Sequence, residues 1–212
     1  MRSKGYIPAL SFRWLTPLYD PVLKWVMRED KFKQVLTARA NIRPGMEVLD
    51  LGCGTGTLTI LVKESYPSAS ITGIDGDPDV LKMARDKSRG LNIQWDEGLA
   101  FSLPYLDESF DRVVTSLVIH HLVTQDKYRA FQEIYRVLKP NGELYVLDFG
   151  APHTPLARFV TGYMHGLEET ADNFAGRIPQ FIKEAGFGTV TEIENFLTVF
   201  GPLSLWQTIK AS

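Results

Sequence analysis

Residues 48–56 read Val-Leu-Asp-Leu-Gly-Cys-Gly-Thr-Gly. A short apolar run ends in an acid, Asp50. Glycine then falls at 52, 54 and 56, and Leu58, Leu61 and Val62 follow at helical spacing. The pattern is a buried strand, a glycine turn and a helix. In open α/β sheets ligands sit outside the carboxyl ends of such strands, and glycine lets the backbone approach them closely. A tight turn with no ligand is the plainer alternative, but alternating glycines weaken a helix start, which a purely structural turn has no reason to tolerate.

The spacing narrows the ligand. A dinucleotide fingerprint beginning at Gly52 and Gly54 needs a third glycine at 57, where the chain has Thr57. No Gly-Lys-Ser/Thr triplet follows, so the loop is not that of a nucleoside triphosphatase. A second strand, Ile71-Thr72-Gly73-Ile74-Asp75, ends in an acid that can accept hydrogen bonds from both hydroxyls of a ribose. An adenosine ligand follows from this, without a choice between a nicotinamide dinucleotide and S-adenosyl-L-methionine.

Outward from the loop the chain alternates strand and helix. Asp77-Pro78 caps and opens a helix with Val80, Leu81 and Ala84 inward. Residues 93–95 form a weak third strand, and Phe110 to Ser116 a clear fourth. Tyr128, Phe131, Tyr135 and Leu138 share a helical face that ends at Lys139-Pro140-Asn141-Gly142, before a fifth strand over 143–148. Two helical stretches are expected in 150–185, the second carrying Ile178, Phe181, Ile182 and Ala185 and ending at Gly186. Strands over 189–200 and 205–210, joined by Gly201-Pro202-Leu203-Ser204, make an antiparallel edge hairpin. Ahead of the sheet, Phe32, Val35, Leu36 and Ala40 share a face. The fold class is α/β: a doubly wound, Rossmann-like seven-stranded sheet, mostly parallel, with an antiparallel C-terminal hairpin. One domain is expected over 1–212, with a helical arm (1–45), a cofactor-binding core (46–150), a helical lid (151–185) and the hairpin (186–212).

Composition bounds the rest. The chain has 212 residues, 44% hydrophobic and 23% charged, enough to bury a core without staples. A net charge of −2 argues against a nucleic-acid partner. The single cysteine, Cys53, allows no intrachain disulfide and fits the cytoplasm. The first ten residues read as no signal peptide, and no apolar run has the length of a membrane span. One cysteine and four scattered histidines offer no metal site.

Asp-Leu-Gly-Cys-Gly-Thr-Gly followed by Gly-Ile-Asp resembles the class I S-adenosylmethionine-dependent methyltransferases. The similarity continues through LPYLDESFDRVVTSLVIHHL (103–122) and EIYRVLKPNGELYVLDFG (133–150), and covers about residues 16–150. Within that superfamily the chain resembles the ubiquinone/menaquinone-biosynthesis group and its small-molecule relatives, and TPLYDP (16–21) matches that group's tyrosine-containing N-terminal segment.

The resemblance implies S-adenosyl-L-methionine as cofactor and gives the residues roles. Asp50 would orient the loop and approach the methionine amino group, while Gly52, Cys53, Gly54, Thr55 and Gly56 build the wall for methionine and ribose. Asp75 would take the ribose hydroxyls, with Gly76 and Asp77 beside the adenine. The family's polar residue opposite the adenine amine falls at Leu99, a departure that leaves the amides of Leu99 and Ala100 and the nearby acids Asp96 and Glu97. Ser116 would stand beside the sulfonium, and Tyr19 would cover the cofactor from the arm. His120 and His121 follow the fourth strand. Imidazole has a pKa of about 6.5, suited to a general base, and the expectation is that His120 faces the site while His121 turns inward. The quinone-pathway enzymes usually carry a different sequence after this serine.

The acceptor is expected to be a small lipophilic or aromatic molecule, because Phe12, Trp14, Leu15, Leu18, Trp25, Phe159, Tyr163, Met164 and Phe174 lie in the arm and lid. Residues 11–28 have a composition compatible with transient membrane contact. A nicotinamide oxidoreductase and a non-catalytic S-adenosylmethionine-binding module are the two other classes the residues allow.

Overall fold

The computed structural model describes residues 29–164 and 170–212. Seven strands form one sheet: β1 (Glu47–Leu51), β2 (Ser70–Asp75), β3 (Ile93–Glu97), β4 (Phe110–Ser116), β5 (Leu138–Phe149), β6 (Thr191–Thr198) and β7 (Gly201–Ile209), in the spatial order β3-β2-β1-β4-β5-β7-β6. The first five run parallel. β7 pairs antiparallel with β5, and β6 with β7. The order reverses between β1 and β4, and that is where this class of sheet opens a crevice at its carboxyl edge.

Strand alternation sends neighbouring side chains to opposite faces. Leu49, Val113, Leu144 and Val146 pack on one side under α4 (Thr124–Val137) and α7 (Ile178–Glu184). Val48, Val114, Tyr145 and Leu147 pack on the other under α1 (Glu29–Arg39) and α2 (Thr57–Ser65). Phe32 and Leu36 of α1 and Ala40 just after it are buried, and Val35 packs beside them. In α3 (Pro78–Lys87) the Asp77 carboxylate accepts the Asp79 N–H at 2.8 Å and Pro78 opens the helix; Leu81 and Ala84 are buried, with Val80 half-buried.

Three boundaries differ from the sequence reading. The inward stripe of α4 is Lys127, Ala130, Phe131, Ile134 and Val137, with the amphipathic Tyr128 and Tyr135 only half-buried. β5 begins at Leu138: Lys139-Pro140-Asn141-Gly142 forms a bulge between the pairs Phe110–Leu138 and Arg112–Glu143, with Asn141 at φ 62°. The expected hairpin turn lies inside β7, because Leu203 and Leu205 are core residues, and the chain reverses at Val199–Phe200. Between β5 and β6 the described residues hold three helices, α5 (Pro155–Met164), the short α6 (Ala171–Phe174) and α7. None of the described helices is long and apolar enough to cross a membrane.

Candidate cofactor cleft

The cleft begins with the glycine loop. The N–H groups of Gly52 and Cys53 both donate to the carbonyl of Ile74, at 2.8 and 3.0 Å, tying the end of β1 to the end of β2. Gly52, Gly54 and Gly56 sit at φ +69°, +52° and +79°, a region costly for other residues. Their surroundings separate them. A Cβ on Gly52 would lie 2.4 Å from Val118, and one on Gly56 2.5 Å from Trp95 and 2.9 Å from Ala84. A Cβ on Gly54 would meet nothing within 4 Å. Gly52 and Gly56 are therefore packing glycines, whereas the backbone of Gly54 faces open space that a ligand can fill.

Asp75 is fixed beside it. One carboxylate oxygen accepts the Gly54 N–H at 2.9 Å and the other the Asp77 N–H at 2.9 Å. Burial pushes this carboxyl up, against the opposing pull of those amides. Each oxygen retains a lone pair for a ligand hydroxyl. The cleft so formed has a volume of about 190 Å³, and Gly52, Gly54, Asp75, Gly76, Leu99, Ala100 and His121 line it.

Other expected residues lie elsewhere. Asp50 is beneath the loop, only 2% exposed, and accepts the Thr59 hydroxyl at 2.6 Å. Burial pushes its carboxyl up to about 6, and its contact is with α2 and not with the cleft. Cys53 is buried, its thiol pushed up by desolvation, and Cys53, Thr55, Gly56 and Ser116 do not line the cleft. Ser116 Oγ is buried without a hydrogen-bond partner among the described residues. Tyr19, with the aromatic residues of the arm, lies outside the described residues, as does His165. His153 pairs with Glu192 at 2.9 Å, Phe159 is exposed, and Phe174 is buried against Phe149 instead of lining an open lid.

The histidine pair is the reverse of the expectation. His120 is 5% exposed and its Nδ1 lies 2.8 Å from Asp148, while His121 lines the cleft. The reason is local. Residues Ile119–His121 make a single 3₁₀ turn, in which successive side chains point about 120° apart. Asp148, buried at the end of β5, captures the inward one. Its other oxygen accepts the N–H groups of Val118 and Ile119 at 3.1 and 2.8 Å. Burial alone would raise the Asp148 carboxyl; the charge and hydrogen bond of His120 and the Phe149 N–H outweigh this and hold it below the usual carboxylate range. The two imidazole centroids are 4.0 Å apart, so His120 also backs His121.

Several lining residues had no distinct sequence signal: Phe101, Leu117, Val118, Leu122 and Asp126. Leu117, at φ 59°, is a strained turn residue at the carboxyl end of β4. Periodicity does not report such strain.

Residues 48–142 match a methyltransferase domain family. The chain is 33% identical over 154 residues to the demethylmenaquinone methyltransferase of Lactobacillus johnsonii, covering 69% of this chain and 62% of that protein. It is 40% identical over 107 residues to the Thermus thermophilus protein of the same name, covering 50% and 48%, and 28% identical to that of Listeria monocytogenes, covering 87% and 88%. The chain thus spans about half to two thirds of the length of the first two relatives. Among solved structures, the YcgJ protein of Bacillus subtilis superposes with a TM-score of 0.66 at 19% identity over 85% of this chain and 98% of that one. The [4+2]-cyclase SpnF gives 0.70 at 22% over 86% and 81%. At these identities the structural likeness concerns the fold.

Proposed function

We propose, for a chain that resembles the class I S-adenosylmethionine-dependent methyltransferases of quinone biosynthesis, that it transfers a methyl group from S-adenosyl-L-methionine to a small lipophilic acceptor. The observation that carries this is the pairing of Gly54 with Asp75: a backbone open to a ligand, beside a carboxylate placed for a ribose. When bound, the cofactor supplies an electrophilic methyl group and needs no metal. Gly52 and Gly54 receive the methionine and ribose portions, Asp75 accepts from the ribose hydroxyls, and Gly76, Leu99 and Ala100 border the adenine. His121, on the cleft wall, is the base, taking a proton from the acceptor as its nucleophilic atom attacks, and His120 backs it.

The protein works in the cytoplasm, in keeping with its one buried cysteine. The relatives' names make demethylmenaquinone the first acceptor to try.

The test is calorimetric titration with S-adenosylmethionine, S-adenosylhomocysteine and NAD, then assay of S-adenosylhomocysteine release in the presence of demethylmenaquinone in detergent and of smaller phenols and amines. Submillimolar binding of the sulfonium and its product but not of NAD is expected. Asp75→Ala weakens it about tenfold or more, because hydrogen bonds to a charged acceptor are each worth about 1.5–3 kcal/mol. Preference for NAD, or no binding of the sulfonium compound, overturns the proposal. Binding without turnover on any acceptor class leaves a binding module instead of an enzyme.

A further inference from the structure

An adenine ring in this cleft brings an exocyclic amine, a donor that goes unpaired if no acceptor meets it. Leu99 carries no side-chain acceptor, and its carbonyl already closes a turn with the Ser102 N–H at 3.0 Å. The acids of β3 do not substitute for it. Asp96 is held by the Tyr105 hydroxyl at 2.9 Å and the Gln94 amide at 2.8 Å, and neither Asp96 nor Glu97 lines the cleft. Asp77 caps α3.

Among the described residues lining the cleft there are two carboxylates, Asp75 and Asp126. Asp75 belongs to the glycine-loop end, tied to Gly54 and Asp77. Asp126 stands in the first turn of α4. The helix fixes what Asp126 faces. Glu133 lies seven residues on, on the same face, and accepts the Leu103 N–H at 2.7 Å. Arg136, one turn further, donates to the carbonyls of Leu103 and Tyr105 at 3.1 and 2.8 Å. This stripe of α4 therefore runs along the loop that contains Leu99. Asp126 stands about 10 Å up the stripe from Glu133, at the cleft end. Its side chain is 18% exposed, and its ion pair with Arg129 is long at 3.4 Å.

We propose that Asp126 is the adenine-specificity residue of this protein: its carboxylate accepts from the exocyclic amine, from the helix side of the cleft, in place of the loop residue that is leucine here. The proposal rests on the S-adenosylmethionine reading above. An acid in the first turn also suits the helix dipole, but that role is indifferent to which purine is bound.

The experiment is calorimetric titration of the full chain with S-adenosylhomocysteine and with its 6-deamino analogue, in which hydrogen replaces the amine and N1 stays an acceptor. The wild-type protein is expected to prefer the adenine compound by about tenfold or more, since only that compound offers the carboxylate a donor. Asp126→Ala loses about tenfold for the adenine compound and little or nothing for the deamino compound, so the preference collapses. Asp126→Asn, whose amide oxygen accepts without the charge, keeps a preference of about threefold and carries the test if the alanine variant does not fold. Equal losses for both ligands, or no loss for either, overturn the assignment while leaving the cofactor reading intact. Failure of the wild-type protein to bind S-adenosylhomocysteine overturns both.

Discussion

His120 and His121 are adjacent in sequence and opposite in setting, so their variants should fail in different ways. His121→Ala, on the cleft, is expected to lower kcat by about 10²–10⁴ with little change in cofactor affinity or melting temperature. His120→Ala leaves the buried carboxylate of Asp148 without its ring partner, and removing one member of a buried pair costs about 3–5 kcal/mol. Steady-state kinetics beside thermal unfolding separates the two; a stable His120→Ala protein with abolished turnover would reverse the assignment. Which histidine faced the cleft was not legible in the sequence. The choice was made by Asp148, 28 residues further on, at a position that reads only as the end of a strand.

At the scale of elements, α4 does more than cover the sheet. Glu133 and Arg136 fasten residues 103–105 to the helix, and Arg136 also pairs with Asp107 at 2.8 Å. The Arg136 fork holds the Glu133 carboxyl below the usual range. The loop that lines the cleft at Leu99 to Phe101 is thus positioned from its outer end. Glu133→Ala removes the acceptor of the Leu103 N–H, and exchange of that amide, followed by mass spectrometry, is expected to quicken at least tenfold, with a severalfold loss of S-adenosylhomocysteine affinity. Unchanged exchange at 103 would show that the apolar contacts of Leu103 suffice to hold the loop. The existence of α4 was plain from its periodicity, but its inward stripe was not. The aromatic residues drew attention to Tyr128 and Tyr135, whereas the packing chose Ala130, Ile134 and Val137, which have no polar end to keep in water.

Over the whole molecule, the two ends of the sheet divide the work. The carboxyl end holds the cleft. The opposite end carries a buried cross-tie: Arg112 donates to the Ala40 carbonyl at 3.0 Å and pairs with Glu143 at 2.7 Å, and Glu143 also accepts from Tyr145 and Gln207. This joins the segment after α1, β4, β5 and the C-terminal hairpin. Arg112→Ala should therefore destabilise the fold by about 3–5 kcal/mol in urea denaturation while leaving S-adenosylhomocysteine affinity within about twofold in the folded protein. A large loss of affinity in the folded variant would show that the two ends are coupled.

The sheet, its parallel core and antiparallel hairpin, and the glycine-loop end of the cleft were legible in the sequence. These rest on local physics: period-two burial, helix caps and glycine conformation act within a few residues, so Val48 to Gly56 and Asp75 could be read in place. The tertiary structure alone decided which residues face the cleft. It buried Asp50 under the loop against Thr59, turned His120 to Asp148 and His121 outward, and placed Asp126 on the wall of the same cleft as Leu99. The first two outcomes depend on partners 9 and 28 residues away, set by how the elements pack on the sheet. No spacing along the chain encodes that packing.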